Sequence, residues 1–427
     1  MVARNIIVSD PVHGFIRLDR FDVVGQVIST VEFQRLRHLS QLGTSSFVYP
    51  TATHSRFSHS LGAMHTMETA LDSLKRVGGL EHRNFDEFVK VGALVALLHD
   101  IGHGPFSHIS EKFLGFRHED ISAQVIKQSP ISDLLIEDGI EPQRIVNIIQ
   151  HTASDEDKLL SQLVTSQLDV DRLDYMARDS YFTGVGFGNV DLERMINMLR
   201  IFPEAGDLNS HALTVFKGRH SIESYVLGRH LMYQAVYFHK ASRGAEKLLI
   251  NAFRRATETK ELPDDFNFLY KDAPPTPDKI MNLDDYSVVT VLKNWCNSKD
   301  KILADLAQRF CQRRLLKAIE LSPKKLNEHL DRIAKFQQLA KNHGIDPDYL
   351  CPIDGPSDTP YTPYSIKSPE DKTTVTQNIF VYDEDGKPVE ISQISEVVRS
   401  LAKTEYLNRL YVPEDFRARA EDHLFKK

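Results

Sequence analysis

The sequence predicts a mainly α-helical protein with a smaller α+β lobe towards its C-terminal end. Three observations carry this prediction. Apolar residues recur at helical spacing in every strong segment up to residue 256. A proline-rich stretch, DAPPTPD at 272–278, then cannot continue a helix. Finally, NIFVYDEDGKPVEI at 378–391 alternates around a DG pair, the pattern of a β-hairpin. The expected organisation is a helical core over residues 1–270 and an α+β lobe over 271–427 that serves oligomerisation or regulation.

The elements follow in order. Residues 58–78 align Leu61, Met64, Met67, Leu71 and Leu74 in one stripe, which predicts a helix. A second helix is predicted over 84–100, capped by Asn84, with Phe88, Val91, Val95 and Leu98 facing inward. Pro142 suits the start of a segment ending near His151. From Lys158 to Asp179 the spacing predicts another helix, on which Asp171, Tyr175 and Asp179 fall at i, i+4 and i+8 and share a face. Residues 223–256 form a further long helical stretch. Helical patterns resume over 284–342, a second break covers 354–372, and a last helix is expected near 394–408.

Composition removes several classes of function. No stretch of 18 uncharged apolar residues exists, so a membrane-spanning helix is not expected. The three cysteines form no CxxC pair, which argues for a reducing cytoplasm and against a disulfide frame. A net charge of −7 argues against broad nucleic-acid binding, though not against a local basic pocket for polyphosphate.

The chemistry concentrates in LVALLHDIGHGPFSH at 94–108. His99 and Asp100 end an apolar helix, where polar groups must find partners or do chemistry. As metal ligands they need partners from other helices, and the best candidates are His59 and Asp171, both beside apolar stripes. Spacing favours Asp171 over its neighbour Asp169 only mildly. Two imidazoles and two carboxylates suit iron, manganese, zinc or magnesium. Such a centre, with coordination positions left for water and a phosphoryl oxygen, fits metal-assisted hydrolysis.

Several stretches carry a family resemblance: SDPVHGFIRL (9–18), EFQRLRHLSQLG (32–43), HSRFSHSLG (54–62), HDIGHGPFSH (99–108), FRHE (116–119), DVDRLDYMARDSYFTG (169–184), YQAVYFHK (233–240) and RRLLKAIEL (313–321). Through them the chain resembles the HD-domain phosphohydrolases. Within that superfamily it looks like the deoxynucleoside triphosphate (dNTP) triphosphohydrolases related to the human SAM- and HD-domain antiviral enzyme. The resemblance weakens after about residue 340. It implies His59, His99, Asp100 and Asp171 as metal ligands, and so decides between Asp169 and Asp171. It implies a dNTP substrate, cleaved by water at the α-phosphorus to deoxynucleoside and triphosphate, with additional magnesium carried by the nucleotide. His108 would be the acid for the 5′-oxygen, held by Glu111, with His103 and His118 donating to the α-phosphate. Arg56, Arg172 and Arg229 would contact the phosphates. Tyr175 would pack on the deoxyribose, Asp179 and Gln41 would bind its 3′-hydroxyl, and Tyr237 would lie near the substrate.

The resemblance further implies a homo-oligomer, dimer or tetramer, with an activating nucleotide contacted by Gln34 and Arg37. Here the chain departs from the pattern. Ser29 stands where guanine-activated relatives have an aspartate, and a hydroxyl cannot reproduce a carboxylate's two bonds to the guanine edge. Two other readings compete with the triphosphohydrolase. One is a nucleotide phosphatase or phosphodiesterase using the same metal box. The other is a nucleotide-sensing or nucleic-acid-binding module with a vestigial site.

Overall fold

A computed structural model describes residues 6–425, except 79, 81–83, 205–206, 271–274, 322–325, 359–377, 383–385 and 404. The chain is mainly helical, with small sheets gathered largely in its C-terminal part. Parts of both predicted breaks (272–274 and 359–372) and the tip of the DG hairpin lie outside the described residues.

Three helices hold the centre. Arg56–Arg76 packs along Phe85–Leu98 on one side and Val170–Thr183 on the other. The Phe85–Leu98 helix is more deeply placed than its predicted stripe: Ala93, Leu94, Ala96 and Leu97 are as inaccessible as Val91 and Val95. From Val91 on the helix is apolar on all sides, as a segment inside a core should be, and it delivers His99 and Asp100 to its buried end. Asn84 precedes the helix, but its side chain makes no cap; its amide donates to Glu87 instead.

Four expectations need correction. The single helix over 158–179 is two, Lys158–Val164 and Val170–Thr183. Asp169 accepts from the Ser166 and Arg172 amides, and that cap is incompatible with a continuous helix. The 223–256 stretch is likewise split. Arg219–Met232 loosens into a π-helical turn at Tyr233–Tyr237, and His239 caps a new helix, Lys240–Thr259. The first 256 residues are also not wholly helical. They contain an Ile7–Asp10/Gly14–Arg17 hairpin and a Leu199–Glu204/Asp207–Val215 hairpin. Each is too short or irregular to leave a strong alternation.

Finally, the helical patterns over 284–342 and 394–408 are interrupted by strands. Lys317–Leu321 pairs with Asn408–Val412, whose run of large and β-branched residues suits a sheet centre. Only the short Ile391–Ile394 and Glu396–Ser400 turns remain of the last predicted helix. The predicted 378–391 hairpin is present as Phe380–Tyr382 against Pro388–Glu390, joined in parallel to the Asp207–Val215 strand. Arg313, in the left-handed region, ends the Lys301–Cys311 helix before the Lys317–Leu321 strand. The three cysteines form no disulfide. Among the described residues no helix is long and apolar enough to cross a membrane.

One buried charge on the central helix has a measurable consequence. Burial lifts the Glu68 carboxyl to about 7, only partly offset by the Arg20 guanidinium, with Asp72 adding repulsion. A raised carboxyl contributes most to stability below its unfolded value, and that contribution is lost as pH rises through 7. Glu68→Gln is therefore expected to stabilise the fold by about 2–3 kcal/mol at pH 8.5 and to leave it unchanged at pH 4.5. Urea unfolding at the two pH values checks this, and equal effects at both would refute the assignment.

Candidate functional site

The four residues picked as metal ligands converge from three helices. His59 comes from the first turn of Arg56–Arg76, His99 and Asp100 from the end of Phe85–Leu98, and Asp171 from the first turn of Val170–Thr183. Asp171 Oδ1 lies 3.0 Å from His59 Nε2 and 3.6 Å from His99 Nε2. Asp100 turns Oδ1 to within 3.5 Å of His99 Nε2, and its Oδ2 lies 3.7 Å from His59 Nε2.

The other nitrogen of each ring is committed. His59 Nδ1 donates to Asp174 Oδ2 at 2.8 Å, and His99 Nδ1 donates to the Ala96 carbonyl at 2.8 Å. With the rings neutral, as ligation of a cation requires, both Nε2 atoms present lone pairs, and both are buried without an aligned hydrogen-bond partner. Two buried imidazole nitrogens facing the Asp171 carboxylate could hold a divalent cation, with Asp100, itself paired to Arg56, beside them. The carboxylate excess has an electrostatic signature. Burial disfavours an imidazolium at His59, yet Asp171 and Asp174 outweigh it and raise its pKa to about 10. Asp171 is held well below the usual carboxylate range, against burial, by His59 and His99.

A second cluster adjoins the first. His103 Nε2 is 3.3 Å from Asp100 Oδ1, and its ring stacks on His118 with centroids 3.8 Å apart. Glu111 Oε1 accepts from His108 Nδ1 at 2.8 Å and from His118 Nδ1 at 3.0 Å. Burial opposes charge on Glu111, but these two histidines draw its pKa down to about 2. His103 is kept neutral by burial, then by Arg56 and His118. The four side chains lie close enough to hold an ion. However, two rings stacked 14° from parallel share no in-plane point that both could ligate. Proton and phosphate handling suits this cluster better. His108 is 68% exposed and hydrogen-bonds Glu111 through Nδ1, which leaves Nε2 to meet a ligand.

The remaining predicted residues divide into groups. Asp171, Tyr175 and Asp179 share a helix face as expected, and Tyr237 joins them by donating to Asp179 Oδ2 at 2.7 Å. The Tyr175 and Tyr237 rings meet edge-on at 6.1 Å. Gln41 is tied through its backbone N–H to the His54 carbonyl, and its side-chain oxygen is buried without a partner. Arg229 and Arg172 flank Tyr175 and Tyr225 closely enough to act on both phenols electrostatically. Arg172 also pairs with Asp169, whereas Arg56 is buried and directed to Asp100 and to Ser107 Oγ. Gln34 and Arg37 meet on a separate surface: Arg37 Nε donates to Gln34 Oε1 at 2.8 Å while its guanidinium covers Phe57. Ser29, exposed beside them, donates to the Gly25 carbonyl.

Sequence reasoning missed the residues that hold this site together. Asp174 orients His59, accepts from His13 and pairs with the buried Arg178. His54, inside the HSRFSHSLG stretch, donates to Asp179 Oδ1 at 2.8 Å. Local spacing marks neither, because their partners lie 115 and 125 residues away.

Residues 56–179 match the HD domain family and residues 190–425 match the HD associated region, so the likeness continues past residue 340. The chain belongs to the HD-domain phosphohydrolase superfamily. It is 33% identical over 420 residues to the uncharacterized protein YwfO of Bacillus subtilis, covering 95% of this chain and 92% of that one. A solved structure described as a phosphohydrolase (BT4208) from Bacteroides thetaiotaomicron superposes with a TM-score of 0.77 at 30% identity, over 96% of this HD-domain chain and 100% of that one. The Dictyostelium discoideum homologue of deoxynucleoside triphosphate triphosphohydrolase SAMHD1 is 30% identical over 270 residues, which span 60% of this chain and 51% of that protein. The HD-domain chain thus matches about half the length of that relative.

Proposed function

We propose that this HD-domain hydrolase cleaves dNTPs to deoxynucleoside and triphosphate. The observation that carries the reading is a sequence of adjoining surfaces. The His59/His99/Asp171 group, with Asp100 beside it, abuts the His103/His108/Glu111/His118 cluster, and Asp171 continues along its helix to Tyr175 and Asp179. A triphosphate ester has the same order: phosphates, bridging 5′-oxygen, sugar.

His59, His99, Asp100 and Asp171 would hold a divalent ion of iron, manganese, zinc or magnesium, with further magnesium carried by the nucleotide. When bound, such an ion lowers the pKa of water and polarises a phosphoryl oxygen. His108 then supplies a proton to the departing 5′-oxygen, an effect of roughly 10²–10⁴-fold. Glu111, ionised between His108 and His118, holds the acid in place. His103 and His118 lie where charge develops on the α-phosphate. Arg172 and Arg229 face the remaining phosphates, and Arg56 keeps Asp100 aligned beside them. Tyr175 occupies the sugar face and excludes a 2′-hydroxyl, while Asp179 and Gln41 take the 3′-hydroxyl.

The protein acts as a homo-oligomer in the cytoplasm. Gln34 and Arg37 form its regulatory nucleotide contact, and Ser29 removes selectivity for guanine there.

A product assay over the four dNTPs and GTP, with and without a second nucleotide and with metal content measured, tests this reading. Intact triphosphate from dNTPs and at least about tenfold slower turnover of GTP are expected. Orthophosphate or pyrophosphate as the product, or comparable turnover of GTP and dGTP, would overturn it.

A further inference from the structure

The loop between His103 and His108 carries two consecutive non-glycine residues in the left-handed region, Phe106 at φ 56° and Ser107 at φ 57°. Each costs on the order of 1 kcal/mol, so surrounding structure must impose them. The imposing group lies about 180 residues away in sequence. Asp285, at the start of the Asp285–Trp295 helix and 8% exposed, accepts from the Phe106 amide at 2.6 Å through Oδ1. Its Oδ2 accepts from the Ser40 amide at 2.9 Å. Ser107 closes the circuit, with its hydroxyl donating to the Ser40 carbonyl at 2.6 Å and accepting from Arg56 Nε at 2.7 Å.

Ser40 precedes Gln41, whose amide donates to the His54 carbonyl, and the His54 ring holds Asp179. One carboxylate therefore spans two segments. One segment carries His103 and His108, and the other leads to the residues read as gripping the sugar.

We propose that Asp285, which lies in the HD associated region rather than the HD domain, is a positioning residue for the reaction. It fixes the distance between the leaving-group acid and the sugar-binding edge. The role rests on the triphosphohydrolase reading for its substrate, and on the two hydrogen bonds for its geometry. It needs a carboxylate, because two backbone N–H groups from different segments each require an acceptor. An asparagine at this position offers one acceptor and turns an N–H donor towards the other amide.

The test compares Asp285→Asn and Asp285→Glu with the wild-type enzyme, measuring kcat and KM for dNTPs, metal per chain and amide exchange at Phe106 and Ser40. Displacement of a reacting group by about 1 Å costs on the order of 10² in rate. Asp285→Asn is expected to lower kcat about 10–100-fold, keep the wild-type metal content and accelerate exchange at both amides. Asp285→Glu, with both oxygens, should recover most of kcat. A variant that loses thermal stability but keeps wild-type kcat, KM and exchange would overturn the role. Should Asp285→Asn fail to fold, exchange in the wild type decides: protection like that of the Phe85–Leu98 helix supports the clamp, and loop-like exchange overturns it. A wild-type protein that releases no triphosphate from dNTPs overturns the substrate reading and, with it, this catalytic role. The exchange data then still report separately on the Asp285 clamp.

Discussion

Asp171→Asn is expected to lower turnover by about 10⁴-fold or more while leaving the melting temperature within a few degrees of wild type. Asp171 Oδ1 is the atom that approaches both orphaned imidazole nitrogens, at 3.0 and 3.6 Å. An amide there keeps the size of the side chain but removes the anionic ligand. A bound divalent ion can lower the pKa of water by roughly eight units, so losing it removes most of the available nucleophile at neutral pH. Stability should change little because Asp171, with a 29% exposed side chain, is the most accessible of the four. Metal analysis after dialysis, alongside kcat and circular dichroism, checks the claim. Full turnover with normal metal content would remove Asp171 from the centre. A chelator applied to the wild type should reproduce the loss, and added divalent ion should reverse it.

How much of this site the sequence revealed depended on how far each residue's role was local. His99-Asp100 stood out because an apolar run ended abruptly in two polar groups. Asp171, Tyr175 and Asp179 could be placed on one face because helical spacing is a local property. The break before Val170 was not legible by the same means. Its cause is a capping bond from Asp169 to Arg172, which periodicity does not register. Residues acting through distant partners were hidden altogether. His13 reaches Asp174 across 161 residues, and Asp285 reaches Phe106 across 179. The Ile7–Asp10/Gly14–Arg17 hairpin escaped for a different reason, since strands of four residues contain too little alternation to rise above chance. Family resemblance supplied roles for residues such as His118 and Arg229, which physical reasoning on the sequence had no ground to prefer over surface groups.

Asp174→Ala should differ from Asp171→Asn in stability, with a large loss of it accompanying the weakened metal binding. Arg178 has a fully buried side chain, with Nε and Nη2 donating to Asp174 and Nη1 donating to Asp10 Oδ2 at 2.7 Å. Asp174 is drawn far below the usual carboxylate range against its own burial, chiefly by Arg178 and then by His13 and His59. Removing Asp174 leaves the buried Arg178 with Asp10 alone, and breaking a buried pair costs up to about 3–5 kcal/mol. The surroundings cannot collapse to relieve this, and Gly62 shows how tightly the pair is enclosed. A Cβ added there would meet Asp174 Oδ1 at 1.9 Å and Arg178 Nη2 at 2.3 Å. The same substitution frees His59 Nδ1, and with it the tautomer that presents Nε2, so metal affinity should fall by about 10–100-fold. Urea unfolding and a metal titration measure the two effects independently. A variant that unfolds like the wild type would show that Arg178 does not depend on Asp174. Unchanged metal affinity in a destabilised variant would show that the ring of His59 is oriented by packing rather than by its carboxylate.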